Sequence, residues 1–432
     1  MKNLYAGIMT GNSLDAVDIV LTEFSDANIK DICFHSNPIP TDIAEDFRKL
    51  KQLLLSNNGD INDIYQTKTA FFTNLHNRYI NLIAETFNEM VQKNNISKNN
   101  IRAVGFHGQT CYHFPPSIAG KDNEPNTLQI GSGQMLCNLI NLPVVFDFRS
   151  DDIINGGEGA PFAPPHNLHL SNCLKQKNIN SVVFCNGGNT GNIAAIHNSK
   201  VIGWDCGPFN HFVDFLTRTE KNENCDFNGK YGSLGQIDLT LLNDLFNNSV
   251  LNAQKQNFLL QEPPKSADPA WYSTSILQKS PLPFETRLRT AEYFSTYIMA
   301  YSLKHLPYKT PNLFLLFGGG WNNPLIFNDF KNILHQQSVI LPQHREVFSK
   351  IANNSAQICW SDDYGFSGKY MEARIFADMA KSKIENIPFT TPETTGCKTP
   401  TICGICVVPK QESSLLWSRA AKGWSKNSYY KI

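Results

Sequence analysis

Two stretches of the chain repeat one pattern: an apolar strand, a tight turn built from Gly, Asn, Ser or Thr, and a second apolar strand. The first spans residues 4–24, with Thr10-Gly11-Asn12-Ser13 as its turn. The second joins Val182-Val183-Phe184 to residues 193–196 through NGGNTGN, residues 186–192, and strand character resumes at Val201-Ile202. Gly and Asn accept the left-handed backbone that such turns demand, so each stretch predicts a β-hairpin. Helical spacing follows the first: Ile43, Phe47, Leu50 and Leu54 share one face. A second helical run carries Ile64, Phe71, Leu75, Tyr79, Leu82, Ile83 and Phe87. Residues 101–106 read as a strand entering the polar loop His107-Gly108-Gln109-Thr110. A third Gly cluster, Gly318-Gly319-Gly320, follows the apolar run 313–317 and precedes Asn323-Pro324 and a helix. Alternating strands and helices specify an α/β class. The twin hairpins predict two related domains facing each other across a cleft, with a Gly turn from each.

The 432 residues allow two or three domains. The 38 basic and 38 acidic side chains cancel, which argues against bulk electrostatic binding to nucleic acid or to an anionic membrane. No window approaches the roughly 18 consecutive apolar residues of a membrane span, and MKNLYAGIMTG lacks the apolar core of a secretory signal. Eleven scattered cysteines fit reduced thiols in a cytoplasm. Cys403 and Cys406 form a C-x-x-C, with Cys397 nearby, but a zinc site usually needs a second such pair. The run TICGICVV, residues 401–408, reads instead as a strand with buried thiols.

Small residues in a turn let main-chain N–H groups approach phosphate oxygens. Neither a P-loop nor a Rossmann fingerprint is present, so nucleotide binding would use another route. Nine motifs follow one another along the chain: GIMTGNSLDAVD (7–18), GFHGQT (105–110), TLQIG (127–131), FDFRSDDIINGGEGAPF (146–162), GWDCGPFN (203–210), PPKS (263–266), FGGGWNNP (317–324), MEARIFA (371–377) and TTGCKTP (394–400). Taken in that order, they resemble the anhydro-N-acetylmuramic acid kinase family of the actin, Hsp70 and sugar-kinase superfamily. The departures from the family pattern include Asn12 for Thr, Ala16 and Phe209 for Gly, Cys206 for Thr, Ser132 for Asp and Glu158 for Gln. Residues 411–432 have no counterpart in the pattern.

The resemblance implies a two-lobed, actin-like (ribonuclease H-like) α/β fold, each lobe a mixed sheet flanked by helices. The expected lobes are residues 1–135 with 378–432, and residues 136–377. It implies ATP and Mg2+ as cofactors, a small anhydrosugar as substrate, a cytoplasmic homodimer, and no nucleic-acid or membrane partner. The implied reaction opens the C1–O6 bridge of the sugar with water and phosphorylates O6, as a step in recycling cell-wall sugars. Asp205 would be the base, since water is a poor nucleophile until a base takes its proton. Glu372 would help orient the water or the sugar. Gly11, Asn12, Ser13, Leu14, Asp15, Ala16, Val17 and Asp18 would form the first ATP loop, with Gly188 in the second. Gly318, Gly319, Gly320 and Asn323 would pass under the adenosine. Asp15 would hold Mg2+ through water, whereas Asp18 sits in an alternating strand. Sugar contacts would come from His107, Gln109, Thr110, Gln129, Asp147, Arg149 and Asp152. Arg149 has two open readings: a partner for the lactyl carboxylate of the sugar, or a structural partner of Asp147 or Asp152. Leu415, Leu416, Ala420 and Trp424 would fit a short amphipathic helix docked on its own domain. Two other functions stay open: a kinase for another anhydrosugar such as levoglucosan, and a nucleotide-binding member that has lost catalysis through Asn12, Cys206 and Phe209.

Overall fold

The computed structural model describes residues 3–25, 28–120, 123–175, 177–252, 254–267, 269–409, 419–420 and 422. Two compact units result, one made of Met1–His166 with Tyr370–Ile432 and the other of Asn167–Lys369.

In the first unit, β1 (Leu4–Thr10), β2 (Ala16–Phe24) and β3 (Ile29–Pro38) form an antiparallel meander. β4 (Ile101–Phe106) pairs parallel to β1. β5 (Gln109–Phe114) and β6 (Asn126–Ile130) make a separate two-stranded sheet. β7 (Val144–Phe146) pairs parallel to β4. β1 is buried along nearly its whole length, as its unbroken apolar run requires. The helix Thr41–Ser56 turns Ile43, Phe47, Leu50 and Leu54 inward, as its spacing predicts. The next helical run differs from expectation. It breaks at Lys68 into Ile61–Thr67 and Thr69–Lys93, and Phe72 rather than Phe71 is buried.

The second unit repeats the plan. β8 (Ser181–Gly187), β9 (Thr190–His197) and β10 (Lys200–Pro208) are antiparallel. β11 (Leu313–Phe317) and β12 (Gln357–Trp360) continue the sheet in parallel. β13 (Ile405–Val407) returns to the first unit and pairs antiparallel with β7. The orders are β13-β7-β4-β1-β2-β3 and β10-β9-β8-β11-β12. Each therefore holds a three-strand meander whose first strand leads into two parallel strands, the ribonuclease H-like arrangement. Each sheet lies against its own apolar core, built around Phe47, Tyr79 and Phe106 in one unit and Trp204, Phe294 and Trp321 in the other.

The unit boundaries differ from those expected at 135/136 and 377/378. β7 joins the first sheet through β4, which carries residues 136–166 into the first unit. The helix Met371–Ile384 packs on β1 and β4, which brings Glu372 there as well. The expected strand over residues 401–408 shrinks to β13, in which Cys406 is exposed, while Cys397 and Cys403 are buried. All eleven cysteines are free thiols.

Candidate active site

The turn between β1 and β2 is closed by the Leu14 N–H, which donates to the Gly11 carbonyl (3.2 Å). Asn12, Ser13 and Asp15 are exposed, and the Ser13 hydroxyl donates to Asp15. Leu14 and Val17 turn their side chains into the core, so only their main chain can serve a ligand. Lys51, which sequence reasoning missed, sits within reach of Asn12 Oδ1 (3.5 Å), and burial pulls its pKa down. Asp18 accepts from the Ser36 hydroxyl (2.7 Å) on the neighbouring strand.

Glu372 lies in the first turn of its helix, where the helix dipole favours a negative charge. Its side chain reaches water. The surrounding protein nevertheless raises its pKa, and the Asp18 and Asp15 carboxylates add to the rise. The structure thus gathers Asp15, Asp18 and Glu372 into one field of negative charge. Among the described residues no cluster of His, Cys, Asp or Glu has a geometry ready to hold a metal. Three hard carboxylates in mutual repulsion do suit a hydrated cation that takes its remaining ligands from phosphate.

Behind this helix lies a very close packing contact. A Cβ on Gly7 would fall 1.9 Å from the Ala373 carbonyl oxygen, and one on Gly105 would fall 1.9 Å from that of Phe376. Only glycine lets β1 and β4 approach the helix this closely.

The sugar residues of the sequence reading group in the first unit around β5 and β6. Thr110 pairs with Gln129 across that sheet. Gln129 Nε2 donates to Thr127 Oγ1 (2.9 Å), and Gln109 Nε2 donates to the Thr110 carbonyl (3.3 Å). The other amide atoms, Gln109 Oε1 and Gln129 Oε1, are buried with no partner. Buried acceptors left bare are costly, and sugar hydroxyls are donors of the right kind.

Arg149 makes contacts that neither of its two readings named. Its Nε and Nη2 donate to His107 Nε2 (3.1 and 3.0 Å), and Nη1 donates to the Gly159 carbonyl (2.6 Å). It bonds neither Asp147 nor Asp152 in these contacts. A guanidinium has no acceptor, so His107 is neutral with its proton on Nδ1. Burial and the Arg149 charge hold the His107 pKa well below its usual value. His107 can therefore donate to a ligand through Nδ1 but is a poor base.

The two aspartates are already engaged. Asp152 accepts from Thr395 Oγ1 (2.7 Å) and the Gly159 N–H (2.7 Å), tying together two glycine-bearing loops. Asp147 accepts from the Ser150 hydroxyl (2.5 Å) and from the N–H and Nε of Arg419 (3.1 and 2.7 Å). Burial pushes the Asp147 pKa up to about 6 against the pull of Arg419.

In the second unit, Asp205 lies within β10 rather than after it, beside a register shift at Cys206. It is 7% exposed. Its Oδ2 accepts from the Ser266 hydroxyl and the Ala267 N–H, both at 2.9 Å, and the Asp205 N–H donates to the Lys265 carbonyl (3.1 Å). Two donors on one oxygen fix the carboxylate plane. Ser266 and Lys265 belong to the PPKS motif, so that motif carried the signal for this support. Lys265 is nearly buried, and desolvation lowers its pKa to about 8.

The second Gly turn meets the third. Gly188 and Asn189 carbonyls accept from the Asn210 and Phe209 N–H groups. A Cβ on Gly318 would strike Asn186 Oδ1 and the Gly187 main chain, while one on Gly319 would meet nothing within 4 Å. Two departures from the family pattern point into the core. Phe209 is buried against Trp321 (ring centroids 4.8 Å apart) and over Gly187, Gly191 and Gly320. The Cys206 thiol pairs with Ser302 Oγ (3.2 Å).

Asn323 caps the helix Pro324–Leu334 through Oδ1 and donates from Nδ2 to Glu292 Oε1 (2.7 Å). Glu292 is fully buried, and burial together with the Asp226 carboxylate holds its pKa far above the carboxylate range. A lone carboxylate inside the apolar run Ala291-Glu292-Tyr293-Phe294 was the missed sequence signal.

Two sheets of the same ribonuclease H-like order, each bearing a Gly turn at its first hairpin, define the fold class. The chain belongs to the anhydro-N-acetylmuramic acid kinase family, whose model matches residues 3–409. It is 29% identical to the anhydro-N-acetylmuramic acid kinase of Vibrio vulnificus (strain CMCP6), over 91% of this chain and 95% of that one. It is 29% identical to that of Mannheimia succiniciproducens, over 95% of this chain and 100% of that one. Among solved structures, a ROK hexokinase from Thermus thermophilus gives a TM-score of 0.37 at 12% identity, covering 89% of this chain and 99% of that one. The fold assignment rests on strand order, not on that likeness.

Proposed function

We propose that the protein is an ATP-dependent kinase that opens 1,6-anhydro-N-acetylmuramic acid with water and phosphorylates O6. The observation that carries the reading is membership of the kinase family over residues 3–409. The fixed carboxylate of Asp205 and the bare amide acceptors of Gln109 and Gln129 support it.

In this reading Asp205 takes a proton from a water molecule as the water oxygen bonds to C1. The C1–O6 bond breaks, and its electron pair leaves on O6. O6 then bonds to the γ-phosphorus of ATP, ADP departs, and Asp205 returns its proton to solvent. Glu372 orients the attacking water. The main-chain N–H groups of residues 11–13 and of Gly188 cradle phosphates, and Gly318, Gly319, Gly320 and Asn323 pass under the adenosine. His107 and Thr110 donate to the sugar, and Gln109 and Gln129 accept from it. Asp15 would hold Mg2+ through water, with Asp18 and Glu372 near it, and the ion would supply neutralisation of phosphate charge. Cysteines free throughout fit a cytoplasmic location, and no helix among the described residues is long and apolar enough to cross a membrane. We extend the family resemblance to a homodimer, which sedimentation would test. Because Cys206 and Phe209 turn into the core, they give little reason to expect lost catalysis.

The test is ADP release by the full chain with ATP and Mg2+, with anhydro-N-acetylmuramic acid or levoglucosan added. Turnover that depends on the muramic sugar is expected. Preference for levoglucosan, or ATP binding without turnover on either sugar, would overturn the reading.

The nucleotide half of the reading carries a separate prediction at Glu292. Glu292→Gln keeps the length of the side chain and an acceptor for Asn323, so its KM for ATP should stay close to that of the unchanged chain. Glu292→Ala strands a buried amide and should raise KM for ATP by about tenfold, with KM for the sugar unchanged. Steady-state kinetics on both variants checks this.

A further inference from the structure

The family match ends at Pro409, yet the described residues beyond it are held on the sugar-binding part of the first unit. Arg419 Nε lies 2.7 Å from Asp147 Oδ2, and its Nη2 lies 2.7 Å from Asp151 Oδ2. The Ala420 N–H donates to Ser150 Oγ (3.0 Å). The Thr127 N–H donates to the Ala420 carbonyl (3.3 Å), and the Lys422 N–H donates to Asn126 Oδ1 (2.8 Å). The Ile61 N–H closes the set on the Lys422 carbonyl (3.4 Å). Main-chain and side-chain bonds thus fasten this short stretch at the start of β6 and on the helix that carries Arg149.

What it fastens has a use. Thr127 Oγ1 receives Gln129 Nε2 (2.9 Å) and pairs with His113 Nδ1 (3.0 Å). Gln129 Oε1, like Gln109 Oε1, is a buried acceptor without a hydrogen-bond partner. A shift of β6 at Asn126-Thr127 would move that acceptor directly. Asp147, buried and carrying a positive φ of 57°, starts the helix Phe148–Ile154 and so sets where Arg149 and its partner His107 lie. Charge matters as well: Arg419 is the cation that faces both Asp147 and Asp151, and without it burial would push Asp147 further toward its protonated form.

We infer that Arg419, Ala420 and Lys422 brace the sugar-binding strand and that Arg419 is a positioning residue for sugar recognition, although all three lie outside the family match. The inference rests on the anhydrosugar-kinase reading and deepens it. No role in nucleotide binding follows, because the contacts described above fall on Asn126-Thr127, on Asp147, Ser150 and Asp151, and on Ile61, none of which the nucleotide reading uses.

The experiment compares the full chain with Arg419→Met, which keeps the length of the side chain, and with Arg419→Lys, which keeps its charge. KM for anhydro-N-acetylmuramic acid, KM for ATP and kcat are measured for each, together with the melting temperature. Arg419→Met is expected to raise KM for the sugar by about tenfold, leaving KM for ATP and kcat near those of the unchanged chain, with Arg419→Lys in between. An unchanged KM for the sugar in Arg419→Met would overturn the inference and leave the kinase reading standing. Equal losses in both KM values and kcat would also overturn it, marking a merely structural contact. Faster turnover at low sugar would overturn it too, since the segment would then obstruct the site. An unchanged chain with no sugar-dependent turnover would sink the kinase reading, and the inference with it, before any variant is compared.

Discussion

Asp205→Asn is expected to cut sugar-dependent ADP release by about 100- to 10,000-fold, the usual contribution of a positioned general base. The substitution keeps the support that holds the side chain. Ser266 and the Ala267 N–H both donate to one oxygen of Asp205, and an asparagine can present its carbonyl oxygen there. The lost property is the ability to take a proton. The melting temperature should therefore move little while turnover collapses, and KM for ATP should stay nearly constant. ADP release and a thermal melt on the same preparation decide it. Turnover close to that of the unchanged chain would remove Asp205 from the chemistry.

Gly7→Val should have the largest effect on stability. Even a single Cβ there falls 1.9 Å from the Ala373 carbonyl oxygen and 2.6 Å from the Ala377 N, both main-chain atoms of the helix Met371–Ile384. Main chain cannot swing aside as a flexible side chain can, so the whole helix must move away from β1. Overpacking of a tight core commonly costs about 1–3 kcal/mol, and a main-chain clash of this depth belongs at or above the top of that range. The same helix carries Glu372, so any folded fraction should also lose activity. Denaturant unfolding with ADP release on the soluble fraction measures both. A stable, fully active Gly7→Val chain would show that the close packing of β1 on this helix is not needed.

The fold was legible where its signals are local. Gly and Asn turns between apolar runs mark both hairpins, and the face of Ile43, Phe47, Leu50 and Leu54 marks its helix. The expected boundary at residue 136 failed to anticipate β7, because a three-residue strand is recognised only by pairing with β4, and parallel pairing is non-local. The site was legible to the extent that motifs carried it. Arg149 shows the limit: its sequence neighbours Asp147 and Asp152 looked like natural partners, while its hydrogen bonds include those to His107, 42 residues away, and to Gly159. Asp147 takes Arg419 instead, 272 residues distant, and no spacing rule reaches that far. Cys206 and Phe209 looked like damage to a catalytic loop. The structure instead turns both into the core, where Phe209 fills the space over three glycines.

In the proposed reaction water opens the anhydro bridge, and the released oxygen, not water, takes the phosphoryl group. The direct test is to run the reaction in water enriched in heavy oxygen and locate the label in the product by mass spectrometry. Heavy oxygen is expected in the C1 hydroxyl and not in the phosphate, with a phosphate ester on O6. Label in released inorganic phosphate with the sugar still bridged, or a phosphate attached at C1, would contradict it.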